Sequence, residues 1–180
     1  LLVILNRNGS KDSFIMGYFF GLGFWLAGIF WIENSISVYG GASSIVSYVL
    51  TILLAAFLSI FQAISFLLYS SLKQENFFSR VMLFPTIWVI FEWLREFLLS
   101  GFPWLYLGYS ALDNFLISGF IPVAGVFGTS FLIIFLSALI LEFSNGLKKL
   151  NSFYIIASSV LIAFVLLTNV TIKNISWTKS

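Results

Sequence analysis

Long apolar runs separated by short polar linkers dominate this chain. Five of them are long enough to cross a hydrocarbon core of about 30 Å, which takes roughly 20 helical residues. They lie at about 13–33, 43–72, 81–99, 115–141 and 152–170. None alternates apolar and polar residues with period two, and all are far longer than barrel strands. The pattern therefore predicts helices, whose backbone hydrogen bonds close within each segment. The fold class is all-α, a polytopic transmembrane helix bundle with about five spanning helices. Residues 1–12 read as the end of a preceding span plus a linker, 13–170 as the transmembrane domain, and 171–180 as the start of an extracytoplasmic segment. The opening LLVIL resembles the tail of an earlier apolar segment, which leads us to expect a piece of a longer protein. No cleavable signal peptide is visible, because the first long run lacks a small-residue cleavage site.

The linkers alternate in charge. Arg7 and Lys11 precede the first span, Lys73 and Arg80 separate the second from the third, and Lys148 and Lys149 separate the fourth from the fifth. Linkers 34–42 and 100–114 hold no Lys or Arg. The positive-inside bias then places the basic linkers in the cytoplasm and the other two, with the tail from Thr171, on the opposite side. Lys173 and Lys179 in that tail are a modest exception.

Composition supports the membrane reading. The chain is 60% hydrophobic and 9% charged, with a mean hydropathy of +1.04, against about 25% charged residues in a soluble domain. A net charge of +2 gives no basis for nucleic-acid binding. Cys and His are both absent. That excludes disulfides, Cys/His metal sites, thiol nucleophiles and histidine bases within these residues, and nothing calls for a metal or cofactor.

The most unusual stretch is EWLREFLLSGFPWLYLGYS, residues 92–110. Glu92, Arg95 and Glu96 close an otherwise apolar span, where a charge costs a few kcal/mol or more according to depth. Glu92 and Arg95 are three apart and share a helix face. One reading makes them a structural ion pair that fixes helix register. The other makes Arg95 a contact for a phospholipid headgroup, since its fork suits phosphate, with Glu92 orienting it. Gly101-Phe102-Pro103-Trp104 breaks the helix, because Gly101 permits an unusual turn and Pro103 cannot extend one. Trp104, Tyr106 and Tyr109 suit the membrane interface, as a belt or as a lip over a lipid-access site. Asp113 and Asn114 look like the N-cap of the fourth span. Pro122 and Gly125 suggest a kink within it. Gly17, Gly21 and Gly28 fall on one face of the first span and suggest close helix packing or a groove for an acyl chain. Glu33 and Asn34 end that span. Asp12 and Glu142 read as solvated residues at cytoplasmic ends.

In order and spacing, EWLR at 92–95, GFPW at 101–104, GYS at 108–110 and P-x-x-G at 122–125 resemble the membrane domain of bacterial apolipoprotein N-acyltransferase. GxGFWLAGxFW at 21–31, followed by Gly40-Gly41, adds to the resemblance. It implies a multi-pass enzyme of the bacterial inner membrane. Such an enzyme moves an acyl chain from a phospholipid to the N-terminal diacylglyceryl-cysteine of a lipoprotein, through a thioester on a cysteine. The nucleophile belongs to a periplasmic nitrilase-like domain with a Glu-Lys-Cys triad. This chain has no Cys, so no catalytic residue carries over, and the segment alone is expected to be inactive. Its expected partners are the phospholipid donor, the lipoprotein acceptor and that domain. The group expected to form a lipid or substrate site is Glu92, Arg95, Gly101, Phe102, Pro103 and Trp104. The alternative is a non-enzymatic membrane protein, a small transporter or lipid-binding scaffold. A transporter tends to show midplane polar groups in related halves, and neither is apparent here.

Overall fold

The computed structural model describes residues 9–72, 74–98 and 101–175. The expected tail of a preceding span before residue 9, and the segment beyond 175, lie outside them. The described residues form helices and turns without a strand. Five helices are long and apolar enough to cross a membrane: α1 (Ser10–Ile29), α2 (Ser44–Ser71), α3 (Phe77–Leu94), α4 (Ile121–Lys149) and α5 (Ser152–Lys173). The chain divides into two compact units, one holding α1 and α2 and the other α3 to α5.

In the first unit, α1 buries Ser13, Gly17, Gly21, Trp25 and Ile29, a ridge with a step of four. On α2 the buried residues include Ser47, Thr51, Ala55, Ser59 and Ala63, again at steps of four. The ridges meet antiparallel. A Cβ added at Gly17 would stand 2.8 Å from Ala63 Cα, and one at Gly21 would stand 2.9 Å from Ser59 Cα. Helices in lipid gain nothing from hiding apolar surface from each other, so such close contact is what binds them. The buried hydroxyls of Thr51 and Ser59 donate to the carbonyls of Ser47 and Ala55, at 2.9 and 2.6 Å, so neither is left unsatisfied in the seam. Trp25 Nε1 donates to Gln62 Oε1 at 3.0 Å across it. Gly28 is only half-buried and lies off this ridge. The chain leaves α1 through a short turn at Ile32–Asn34 and a π-helical segment at Ser35–Tyr39.

In the second unit, α3 starts with a reciprocal cap. Asn76 Oδ1 accepts from Ser79 N at 2.8 Å, and Asn76 N donates to Ser79 Oγ at 3.3 Å. Its regular helix ends at Leu94, short of the expected 99, as tight turns take over at Glu96 and Phe97. Helix α4 begins at Ile121, not near 115. The expected cap at Asp113 and Asn114 is therefore corrected: Asn114 Oδ1 instead accepts from Leu116 N within a local turn. In residues 115–119, Ile117 N and Ser118 N donate to the Asn114 carbonyl, and two further backbone groups are satisfied from α5. Asn169 of α5 accepts from Gly119 N at 2.8 Å and donates to the Phe115 carbonyl at 3.0 Å. At the far end α4 runs on to Lys149, and Glu142 inside it is 2% exposed rather than solvated. Leu150 in a left-handed conformation turns the chain into α5, whose N-terminus Asn151 caps.

Candidate functional site

Residues 101–111 do not hang free at the end of α3. They fold back onto α3 and α4, and the two charged residues of EWLR hold them there. Glu92, 5% exposed, directs Oε1 at two donors. Trp88 Nε1, one turn earlier on the same helix face, donates at 3.0 Å, and the backbone N–H of Leu107 donates at 2.8 Å. Its second oxygen is buried and accepts no hydrogen bond among the described residues. Arg95, 3% exposed, donates from Nη2 to the Trp104 carbonyl at 3.0 Å and stacks over the Tyr106 ring at 5.1 Å. Its own carbonyl accepts from Phe102 N at 2.9 Å. Both side chains thus turn towards loop backbone that no helix can satisfy.

The sequence permits this path at two glycines. Gly101 has φ +82, and a Cβ there would overlap the Glu96 carbonyl oxygen, so a side chain is excluded by conformation and by space. Gly108 donates to Ser130 Oγ at 2.7 Å, and a Cβ on it would run into the Val126 carbonyl. That carbonyl stands beside the break in α4, where Gly125 takes φ 64 and ψ −171. Pro122 sits in the first turn of α4, where its missing N–H leaves no helical bond unmade. The expected kink is therefore made at Gly125, and the Leu107–Ala111 turn packs against it.

Tyr106 is buried between Tyr109 and Phe127. Burial, with the Glu96 carboxylate nearby, pushes its phenol well above the ordinary range and keeps it neutral. Trp104 points the other way and is 54% exposed, with Pro103 exposed beside it. The expected group of Glu92, Arg95, Gly101, Phe102, Pro103 and Trp104 is thus brought together, with charges inside and an aromatic outside. Gly17, Gly21, Gly28, Glu33 and Asn34 belong to the first unit.

Comparison with known proteins supplies the assignment. The family model described as the apolipoprotein N-acyltransferase N-terminal domain matches residues 1–139. This chain belongs to that family. Apolipoprotein N-acyltransferase of Coxiella burnetii is 34% identical over 92% of the chain and 34% of the relative. That of Pasteurella multocida is 35% identical over 92% of the chain and 31% of the relative, and that of Methylococcus capsulatus is 36% identical over 98% and 34%. The chain spans about a third of the length of these N-acyltransferases. With five apolar helices, it is a multi-pass membrane segment.

Sequence reasoning missed several residues of this cluster. Trp88 was findable, since a Trp four residues before a buried Glu shares its helix face. Asn169 carried a weaker signal, as an amide near the end of an apolar span. Ser130 and the Leu107 N–H carried none, because their roles depend on where the loop folds.

Proposed function

We propose that this chain forms the membrane domain of an apolipoprotein N-acyltransferase in the bacterial inner membrane. In this reading the Glu92–Trp104 end faces the periplasm. The whole enzyme moves an acyl chain from a phospholipid to the free amine of the lipoprotein's N-terminal diacylglyceryl-cysteine. A cysteine thiolate outside this chain takes the acyl group as a thioester and releases a lysophospholipid. The amine then attacks the thioester carbonyl, forms the amide and releases the thiolate. The family match over residues 1–139 carries this reading. The chain has no Cys, so its own contribution is to shape the membrane part of the site.

Within that task, burial favours a positioning role for Glu92 and Arg95 over direct headgroup contact. A guanidinium that is 3% exposed and bonded to the Trp104 carbonyl meets a headgroup only if the loop lifts. Trp104 is the exposed member, suited to meet lipid at the rim.

The test replaces the matching third of the Coxiella burnetii relative with this chain and scores N-acylation of a lipoprotein by mass spectrometry. The expected result is a membrane-inserted chimera that acylates. A stably inserted chimera with no acylation would count against the reading. In the active chimera, Arg95→Lys keeps the charge but loses the fork. A positioning role predicts a lower kcat with little change in KM for the donor, whereas headgroup contact predicts a raised KM.

A further inference from the structure

Lys173 breaks the charge pattern of the linkers, and the structure gives it a setting. It is the last residue of α5, at the end of the second unit where linker 100–114 holds no Lys or Arg. Asn169, one turn earlier, takes up the Gly119 N–H and the Phe115 carbonyl, and so fixes residues 115–119 against the last turn of α5. The fit is close. A Cβ added at Gly119 would stand 2.7 Å from the Asn169 carbonyl oxygen and 3.3 Å from Lys173 N. The Lys173 ammonium lies over the Phe115 ring, 5.0 Å from its centroid. That contact orients the cation but does not neutralise it. Lys173 makes no ion pair among the described residues.

The depth of this turn follows from the length of α5. Ser152 starts the helix beside Lys148 and Lys149. Asn169 is then about 26 Å further on at 1.5 Å per residue, near the far edge of a hydrocarbon core about 30 Å thick. At that level the turn exposes Leu112 by 61%, Phe115 by 70% and Leu116 by 51%. Their hydropathy suits a span, yet α4 starts only at Ile121. They are membrane residues outside any spanning helix. A turn of this kind, with a cation that lacks a counter-ion, suits the boundary between acyl chains and negatively charged headgroups.

We propose that residues 112–116 and Lys173 form a seat for an anionic phospholipid in the leaflet at this end of the bundle. Leu112, Phe115 and Leu116 enter the top of the acyl layer, and the Lys173 ammonium, held over Phe115, meets the headgroup phosphate. A zwitterionic lipid brings its own cation to that phosphate and gains less from Lys173. The seat involves no reaction, so it stands whether or not the proposed acyl transfer does.

The chain has no Cys, so one introduced cysteine carries a label without background. Leu116→Cys is labelled with bimane, and the 180-residue chain is reconstituted in bilayers. Its fluorescence is quenched in turn by phosphatidylglycerol bearing a nitroxide near the top of one acyl chain, by phosphatidylcholine with the same chains, and by aqueous iodide. The label reads lipid beside the turn and not at the basic linkers of the other end. Both lipids should quench and iodide should not. The expected preference for phosphatidylglycerol is about fivefold, the effect of one lysine near an anionic surface. Lys173→Gln should bring that preference to within about twofold, and Lys173→Arg should keep it, with lipid quenching retained in both. Quenching by iodide alone would put the turn in water and overturn the proposal. Quenching by none of the three would mean that a second copy of the chain covers the turn, and would overturn it too. Equal quenching by the two lipids in the chain with Lys173 intact, or a preference that survives Lys173→Gln, would overturn the anionic seat.

Discussion

Glu92 and Glu142 make an instructive pair. Each is a buried carboxylate in the C-terminal part of an apolar helix, and each has one oxygen that accepts a hydrogen bond and one that does not, the latter in Glu142 standing 3.9 Å from the Arg80 guanidinium. The difference lies in what the bonded oxygen holds. Glu92 Oε1 takes an indole N–H from its own helix and a backbone N–H from fifteen residues on. It is a clamp, and without it the loop backbone would lose a partner. Glu142 Oε1 takes only a nearby amide side chain, and the group stands beside a cavity with two cations. The donors separate the two: backbone and indole N–H groups make Glu92 a fastening between loop and helix, whereas Glu142 meets only side chains, Asn145 by hydrogen bond and Arg80 as an ion pair at 3.9 Å.

The sharpest way to break the comparison is to remove both carboxylates in turn. Glu92→Ala leaves the Leu107 N–H and Trp88 Nε1 buried without an acceptor. At about 1–3 kcal/mol per orphaned group, the loss should reach roughly 3 kcal/mol or more. Glu142→Ala strands only side chains that border a cavity water can fill, and should lose about 1 kcal/mol. Thermal unfolding of both variants in one detergent measures the gap, and equal losses would remove the distinction. Next in size is Asn169→Leu, which strands Gly119 N–H and the Phe115 carbonyl and should lose about 2–3 kcal/mol by the same assay. Gly101→Ala forces a side chain into a left-handed conformation and against the Glu96 carbonyl. The expected loss is about 1–3 kcal/mol, visible as faster proteolysis in the 101–111 loop. Trp104→Ala is the smallest. Its side chain is exposed, so stability should stay within about 0.5 kcal/mol, while acylation by the chimera described above should fall if the rim contacts lipid. A large stability loss at Trp104 would show that the exposed side of the loop is as structural as the buried side.

Much of this was legible in the sequence, and the gaps have physical causes. Hydropathy predicts five spans because lipid demands long apolar helices whatever their packing. The Gly17–Gly21 spacing predicts a tight seam, and the facing stripe of Ser47, Thr51, Ala55, Ser59 and Ala63 is just as regular. Small hydroxyl residues on an apolar helix look neutral until a partner ridge is known. Helix ends are less legible. Residues 115–120 have the hydropathy of a span, yet Asn169, some fifty residues on, takes up the Phe115 carbonyl and the Gly119 N–H, and local turns satisfy others. Glu142 misleads for a related reason: one residue past the expected helix end, a carboxylate suggests solvent, but α4 continues to Lys149. EWLR and GFPW stood out because charges and a Gly/Pro break at the end of an apolar run are rare. What they do depends on Leu107 and Trp88, which spacing alone does not bring to the carboxylate together.

The seam between α1 and α2 has a mechanical consequence. Its two ridges mesh like toothed racks, with Gly17 and Gly21 seated on Ala63 and Ser59 and the bulky Trp25 and Ile29 following on the same ridge. Gly17 already fits closely among Ala63, the Gln62 carbonyl and Phe66 Cβ, so sliding one helix by a single residue would drive this contact into a side chain. The next setting that again faces small residue with small residue lies a full step away, about 6 Å along the axis. A push along α1 is therefore either delivered whole to α2 or stopped, because the pair has no slack between those settings.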